Sequence, residues 1–116
     1  MNIKKKINGD KALVRVDGRV DMNNAKILLD KLSPLVFSCN EIVLDIEGMQ
    51  YISSAGLRVF LGVYKDMKRK HGSFKLININ DAVMDILRLT GFDIVFGCDL
   101  IGQQSSVTSV LPGKRK

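Results

Sequence analysis

A chain of 116 residues, 46% of them hydrophobic and 26% charged, can bury one core but not two, so a single domain is expected. No apolar run follows Lys4-Lys5-Lys6 at signal-peptide length, and none reaches the ~20 residues of a membrane span. A cytoplasmic protein with no direct membrane insertion is therefore expected. The net charge of +6 gathers partly at the two ends, where Lys4–Lys6 and Lys114-Arg115-Lys116 lie. It would attract acidic proteins, anionic membrane or nucleic acid without choosing among them.

In chain order, Asn2 to Ile7 reads as a short strand, Asn8-Gly9-Asp10 as a turn, and Ala12 to Val16 as a second strand, giving an N-terminal hairpin. Gly18-Arg19-Val20-Asp21 leads into a first helix that Asp21 or Asn23 can cap, with Ala25, Leu28, Leu29, Leu32 and Leu35 as its buried stripe. Ser33-Pro34 is expected to fray or end that helix, because proline strains the residue before it out of helical geometry. Ile42 to Ile46 reads as a central strand, its apolar run suiting a strand covered on both faces or lying at the core of a sheet. Met49, Tyr51 and Ile52 read as loop, with Ile52 inside and Met49 the more exposed.

Leu57, Phe60, Leu61, Tyr64 and Met67 then recur at helical spacing, while Arg58, Lys65, Lys68 and Arg69 lie off the stripe. His71-Gly72 breaks this helix, and Phe74 to Ile79 alternates as a strand. Asn80 and Asp81 start a third helix with Val83, Ile86, Leu87 and Thr90 inward and Gly91 as its left-handed stop. Phe92 to Phe96 is expected to be the last strand. A short helix and a basic, disordered tail over 112–116 are expected after it, leaving 1–111 as the domain. Cys39 and Cys98 match no metal or redox spacing and read as free, buried thiols. With His71 the only histidine, neither a metal site nor a cofactor is expected.

The chemistry converges on Tyr51-Ile52-Ser53-Ser54-Ala55-Gly56-Leu57-Arg58, a loop with two serines running into the second helix. Ser53 or Ser54 falls at or beside the N-cap, where a hydroxyl can accept a bond from a free backbone N–H. The same place carries the positive end of the helix dipole and can hold a phosphate. Capping alone explains such a serine, and Gly56 can simply let the helix sit close to a strand.

This stretch resembles the signature of STAS domains, in particular the bacterial anti-sigma factor antagonists. Gly18 to Asp21 resembles that family's Gly-x-hydrophobic-Asp approach to the first helix. The resemblance spans the chain from first strand to last, and implies an α/β fold: a single layer of largely parallel strands with right-handed β-α crossovers, packed helices and an N-terminal hairpin. It implies a phosphoacceptor at Ser54, with Ser53 as runner-up because serine stands where the family often has aspartate. It also implies a partner face of Gly18, Asp21, Met49, Ile52, Ser53, Ala55, Gly56, Leu57 and Arg58. The implied partners are an anti-sigma factor serine kinase, which the unphosphorylated protein sequesters so that a sigma factor is released, and a serine phosphatase. The protein would be a monomeric kinase substrate and no enzyme.

Two other readings stay open from the residues. STAS domains also occur in stress-sensing and lipid-transport complexes, where binding can proceed without phosphorylation. Asp45 at a strand end could instead be the phosphoacceptor of a response-regulator receiver. That chemistry needs acidic partners after the first strand and a late lysine, and neither is in place. No nucleophile–base pair, glycine-rich phosphate loop or catalytic carboxylate pair can be read, and no helix-turn-helix, zinc or aromatic RNA-binding signature supports nucleic acid.

Overall fold

The computed structural model describes residues 1–102. The expected tail and the domain limit at 111 lie outside the described residues. The hairpin forms from β1 (Asn2–Asn8) and β2 (Lys11–Val20), antiparallel about a turn at Gly9-Asp10. Gly9 has φ +63°, the left-handed conformation that a tight turn asks of glycine. α1 (Ala25–Ser38) follows, then β3 (Glu41–Asp45), β4 (Met49–Ile52), α2 (Ser54–Arg69) and β5 (Ser73–Ile79). The chain continues through α3 (Asp81–Thr90), α4 (Phe92–Phe96), a 3-10 turn at Gly97–Asp99 and β6 (Leu100–Gly102).

The strands order as β1-β2-β3-β5-β6, parallel except for the hairpin, with β4 pairing only the far end of β2. This is the expected α/β sheet with its leading hairpin. Ala12, Val14, Val16, Ile42, Leu44, Phe74 and Leu76 all face one side and are buried under the helices. β3 is central, as expected, but among the described residues it is covered on one face only: Ile42 and Leu44 are buried while Val43, on the opposite face, is half-exposed.

Several local expectations are corrected. Pro34 does not end α1, which runs on to Ser38. The turn beyond it is held by buried Leu35, by the Cys39 N–H bond to Leu35 O at 2.9 Å, and by Lys70 Nζ donating to Val36 O and Cys39 O. Leu29 leaves the α1 stripe for the surface, and Thr90 is exposed, its hydroxyl donating to Ile86 O. Met49 to Ile52 is a strand rather than a loop, and Met49 is fully buried.

Phe92 to Phe96 is helical. A strand would put Phe92, Ile94 and Phe96 on one face; instead Ile94 is 83% exposed while Phe92 and Phe96 stack with centroids 6.0 Å apart, as i and i+4 residues of a helix do. Phe96 then closes against Tyr64 and Phe74, and the last strand forms later, at Leu100–Gly102. Cys39 is buried as expected, but Cys98 is exposed.

The α2 stripe closes over Leu57, Phe60 and Met67 as read, with Val63 added and Leu61 and Tyr64 at its margin. Tyr64 and Lys68 meet buried Asp99: Lys68 Nζ lies 3.2 Å from Asp99 Oδ2. The Asp99 carboxylate raises the Lys68 ammonium above its ordinary value, chiefly through that hydrogen bond, while burial raises the Tyr64 phenol.

Candidate functional site

The serine turn is built at the point where β2 changes partner. Its first half pairs β3 from Lys11 to Arg15; its last three residues pair β4, Gly18 with Met49 and Val20 with Ile52. The register slips between Gly18 and Arg19, and Gln50 is the extra residue of the resulting bulge. Two glycines allow the crossing. Gly18 takes φ +89° and its N–H bonds Gly48 O at 2.8 Å, while a Cβ on Gly48 would overlap the Asp17 carboxylate.

Ser53 lands beside Val20, its N–H donating to Val20 O at 2.8 Å. It is the N-cap of α2: its backbone is extended and its Oγ accepts from Gly56 N at 3.3 Å. That leaves Ser54 as the first residue of the helix, exposed and not needed for the cap. Gly56 is buried because the helix presses on the sheet there; a Cβ would come within 2.7 Å of both Ile52 Cγ1 and Val20 Cγ1. This is the close approach of helix to strand that a glycine at this place allows.

The neighbouring loop is stiff. Asp21 Oδ1 accepts from Asn23 N and Asn24 N, and Asn24 returns the contact by accepting from Asp21 N and donating to Arg19 O. Asp21 thus caps the turn before α1, whereas the formal N-cap, Asn24, makes no side-chain cap bond. Asn80, N-cap of α3, donates from Nδ2 to Met49 O at 2.7 Å and Glu47 O at 3.3 Å, tying the opposite flank.

Two arginines, Arg19 and Arg58, border the serine turn, with the Asp21 carboxylate occupied by the backbone N–H groups of Asn23 and Asn24. The first turn of α2 carries no acidic residue, Arg58 is exposed one turn along from Ser54, and the Arg19 guanidinium lies 4.5 Å from the centre of the Tyr51 ring. Among the described residues neither Arg19 nor Arg58 makes an ion pair. The helix dipole adds to that field, so an anion is well tolerated where Ser54 sits.

The expected partner residues therefore divide. Ser54 and Arg58 are on the surface, and Gly18, Asp21, Ser53 and Ala55 are half-exposed around them. Met49, Ile52, Gly56 and Leu57 are buried and act as the floor that sets the turn's position. Sequence reading passed over Arg19 and Asn24 and took Asn80 only as a start of α3, without its bonds to Glu47 and Met49; the offset of Asn24 after Asp21 was the signal, since Asx side chains cap at that spacing. Asp45 is engaged as a strand-end residue: Oδ1 accepts from Glu47 N, and Oδ2 is 3.7 Å from Arg15. Among the described residues no group of three or more His, Cys, Asp or Glu could hold a metal ion, and no helix is long and apolar enough to cross a membrane.

The STAS domain profile matches residues 2–105. The chain belongs to the STAS domain family. The anti-sigma-B factor antagonist of Bacillus subtilis is 31% identical over 96 residues, which cover 82% of this STAS chain and 88% of that protein. A solved anti-sigma factor antagonist from Mycobacterium paratuberculosis superposes with a TM-score of 0.77 at 23% identity, covering 90% of this chain and 87% of that one. The Bacillus cell fate determinant SpoIIAA, solved in its phosphorylated form, superposes at 0.70 with 16% identity over 90% of this chain and 94% of that one. The two structural likenesses carry the fold alone; the profile match and the Bacillus subtilis relative carry the family.

Proposed function

We propose that this STAS protein is an anti-sigma factor antagonist that docks the turn around Ser54 and the first turn of α2 on an anti-sigma factor serine kinase in the cytoplasm. The kinase, with its own ATP and Mg²⁺, phosphorylates Ser54, and a serine phosphatase restores the hydroxyl. The chain itself does no chemistry. The observation that carries this reading is the division of labour between the two serines: Ser53 caps the helix, so Ser54 is exposed and modifiable without unpicking the fold.

A phosphate would bring roughly −1.5 to −2 charges to that position. The dipole and Arg58 tolerate it in the free protein, so the helix stays formed. In a closed interface the same charge must lose its water and meet whatever faces it, so binding falls.

The test is to capture the partner from native lysate with wild type and with Ser54→Asp, identify it, and repeat the binding with purified components. Wild type is expected to retain a serine kinase that Ser54→Asp binds about tenfold or more weakly, a difference of ~1.4 kcal/mol or more. With ATP, label should enter wild type and not Ser54→Ala. Label persisting in Ser54→Ala but absent from Ser53→Ala would move the acceptor to Ser53. Equal affinity of wild type and Ser54→Asp would end the switch.

A further inference from the structure

The face of the sheet turned away from the helices has no covering element among the described residues, and its side chains can be read from the strand register. One cross-strand row runs Lys6, Leu13, Val43, Lys75 over β1, β2, β3 and β5. The next runs Lys4, Arg15, Asp45, Ile77, and the one on the other side Asn8, Lys11, Glu41, Ser73. Leu13 is 42% exposed and Val43 half-exposed, and a shallow depression of about 350 Å³ lies over them, rimmed by Lys6 and Lys11. The charges of this face are not balanced. Arg15 is held by Asp17, Asp45 and Glu47, and Lys11 by Glu41. Among the described residues Lys4, Lys6 and Lys75 have no acidic partner.

We propose that this open face is a second docking surface, and that it takes an amphipathic helix of a partner protein with acidic residues flanking its apolar stripe. Three strand spacings separate Lys6 from Lys75, about 14 Å. That brackets a helix about 10–12 Å across with its apolar side on Leu13 and Val43. Lys4 and Lys6 stand about 6.8 Å apart along β1, close to the ~6 Å rise between carboxylates at i and i+4 of a helix. Charge disfavours the other occupants. Residues 103–116 contain three basic residues and no acidic one, and a second copy would bring the same lysines face to face. An anionic bilayer would need apolar side chains that project, whereas Leu13 and Val43 lie between the lysines.

The face is separate from Ser54, so this surface stands or falls independently of the phosphoswitch. The probe is a synthetic alanine-rich helix with a leucine stripe flanked by glutamates, titrated into the full chain by calorimetry and by amide and side-chain NMR. Saturable binding is expected, with shifts at Lys6, Leu13, Val43 and Lys75. Binding should weaken about tenfold or more in Lys6→Glu/Lys75→Glu, checked for folding by circular dichroism, and be unchanged in Ser54→Asp. Several results would overturn the proposal: wild-type shifts gathering at the serine turn, equal binding of the lysine-for-glutamate peptide, or phosphatidylglycerol vesicles binding where the peptide does not. So would sedimentation showing that the face is closed by self-association, or truncation after Gly102 being required to expose it.

Discussion

At Gly56 a single hydrogen in place of a methyl decides how near α2 can come to the sheet. Val20 and Ile52 both occupy the space a Cβ would need, and both are core residues with little room to yield. Gly56→Ala is expected to destabilise the fold by about 1–3 kcal/mol through overpacking, even though alanine is the better helix former. Urea denaturation compares the two proteins directly, and an unchanged or raised midpoint would show that the helix can lift off without cost. The same residue illustrates what a sequence reveals. The apolar stripe from Leu57 and the two serines place the helix start, and Gly56 admits the close approach. Met49 was misjudged because its burial depends on β4 pairing with the end of β2, a contact between residues some thirty positions apart that no local pattern announces.

Elements declared themselves wherever one face alternated between buried and exposed. The hairpin, β3, β5, α2 and the cap of α3 all followed from spacing. The failures were of two kinds. Phe92 to Phe96 has the composition of a strand, but Gly91 at φ +80° redirects the chain and the i, i+4 phenylalanines find a helix's worth of core. Pro34 should stop a helix, but its missing bond is outweighed by packing at Leu35 and by a lysine reaching over from the end of α2.

Tertiary contacts also explain why the start of α3 matters to a turn it does not belong to. Asn80 both caps α3 and holds the carbonyls of Glu47 and Met49. Asn80→Ala should cost more than a cap alone, about 2–3 kcal/mol, because two carbonyls lose their donor as well. Thermal unfolding measures it, and a loss within the ~1 kcal/mol of an ordinary cap would mean that those carbonyls find water instead.

For the whole molecule, the Asp99 cluster sets the behaviour at alkaline pH. Lys68 is raised above 10.5 and Tyr64 above 10.0 in the folded protein. For Lys68 the native state keeps its proton longer than the unfolded chain, so its stabilisation is complete below the unfolded value and is lost as pH climbs through the folded one. Tyr64 acts in the same direction, because the unfolded phenol ionises first while burial holds the native one neutral. Stability should therefore fall as pH rises past about 10. Denaturation curves between neutral and strongly alkaline pH test this. Tyr64→Phe should flatten the decline, and an unaltered slope would assign it to other groups.

The handover of β2 from β3 to β4 has a consequence for how this chain can vary in length. The distance from the packed sheet to the serine turn is written as a count of residues: Arg15 is the last to pair β3, and Gly18 the first to pair β4. One residue more or fewer in that interval reverses which side chains face inward along the rest of the strand, so Val20 would trade places with Arg19 and the turn would lose its floor. The hairpin turn at Gly9-Asp10 is tied as well, since Asp10 O accepts from Asn40 N at 2.7 Å and from Glu41 N at 3.2 Å, and its carboxylate accepts from Asn40 Nδ2 at 2.9 Å. Length is thus metered at both ends of β2, by the start of β3 at the hairpin tip and by the change of neighbours at the serine turn.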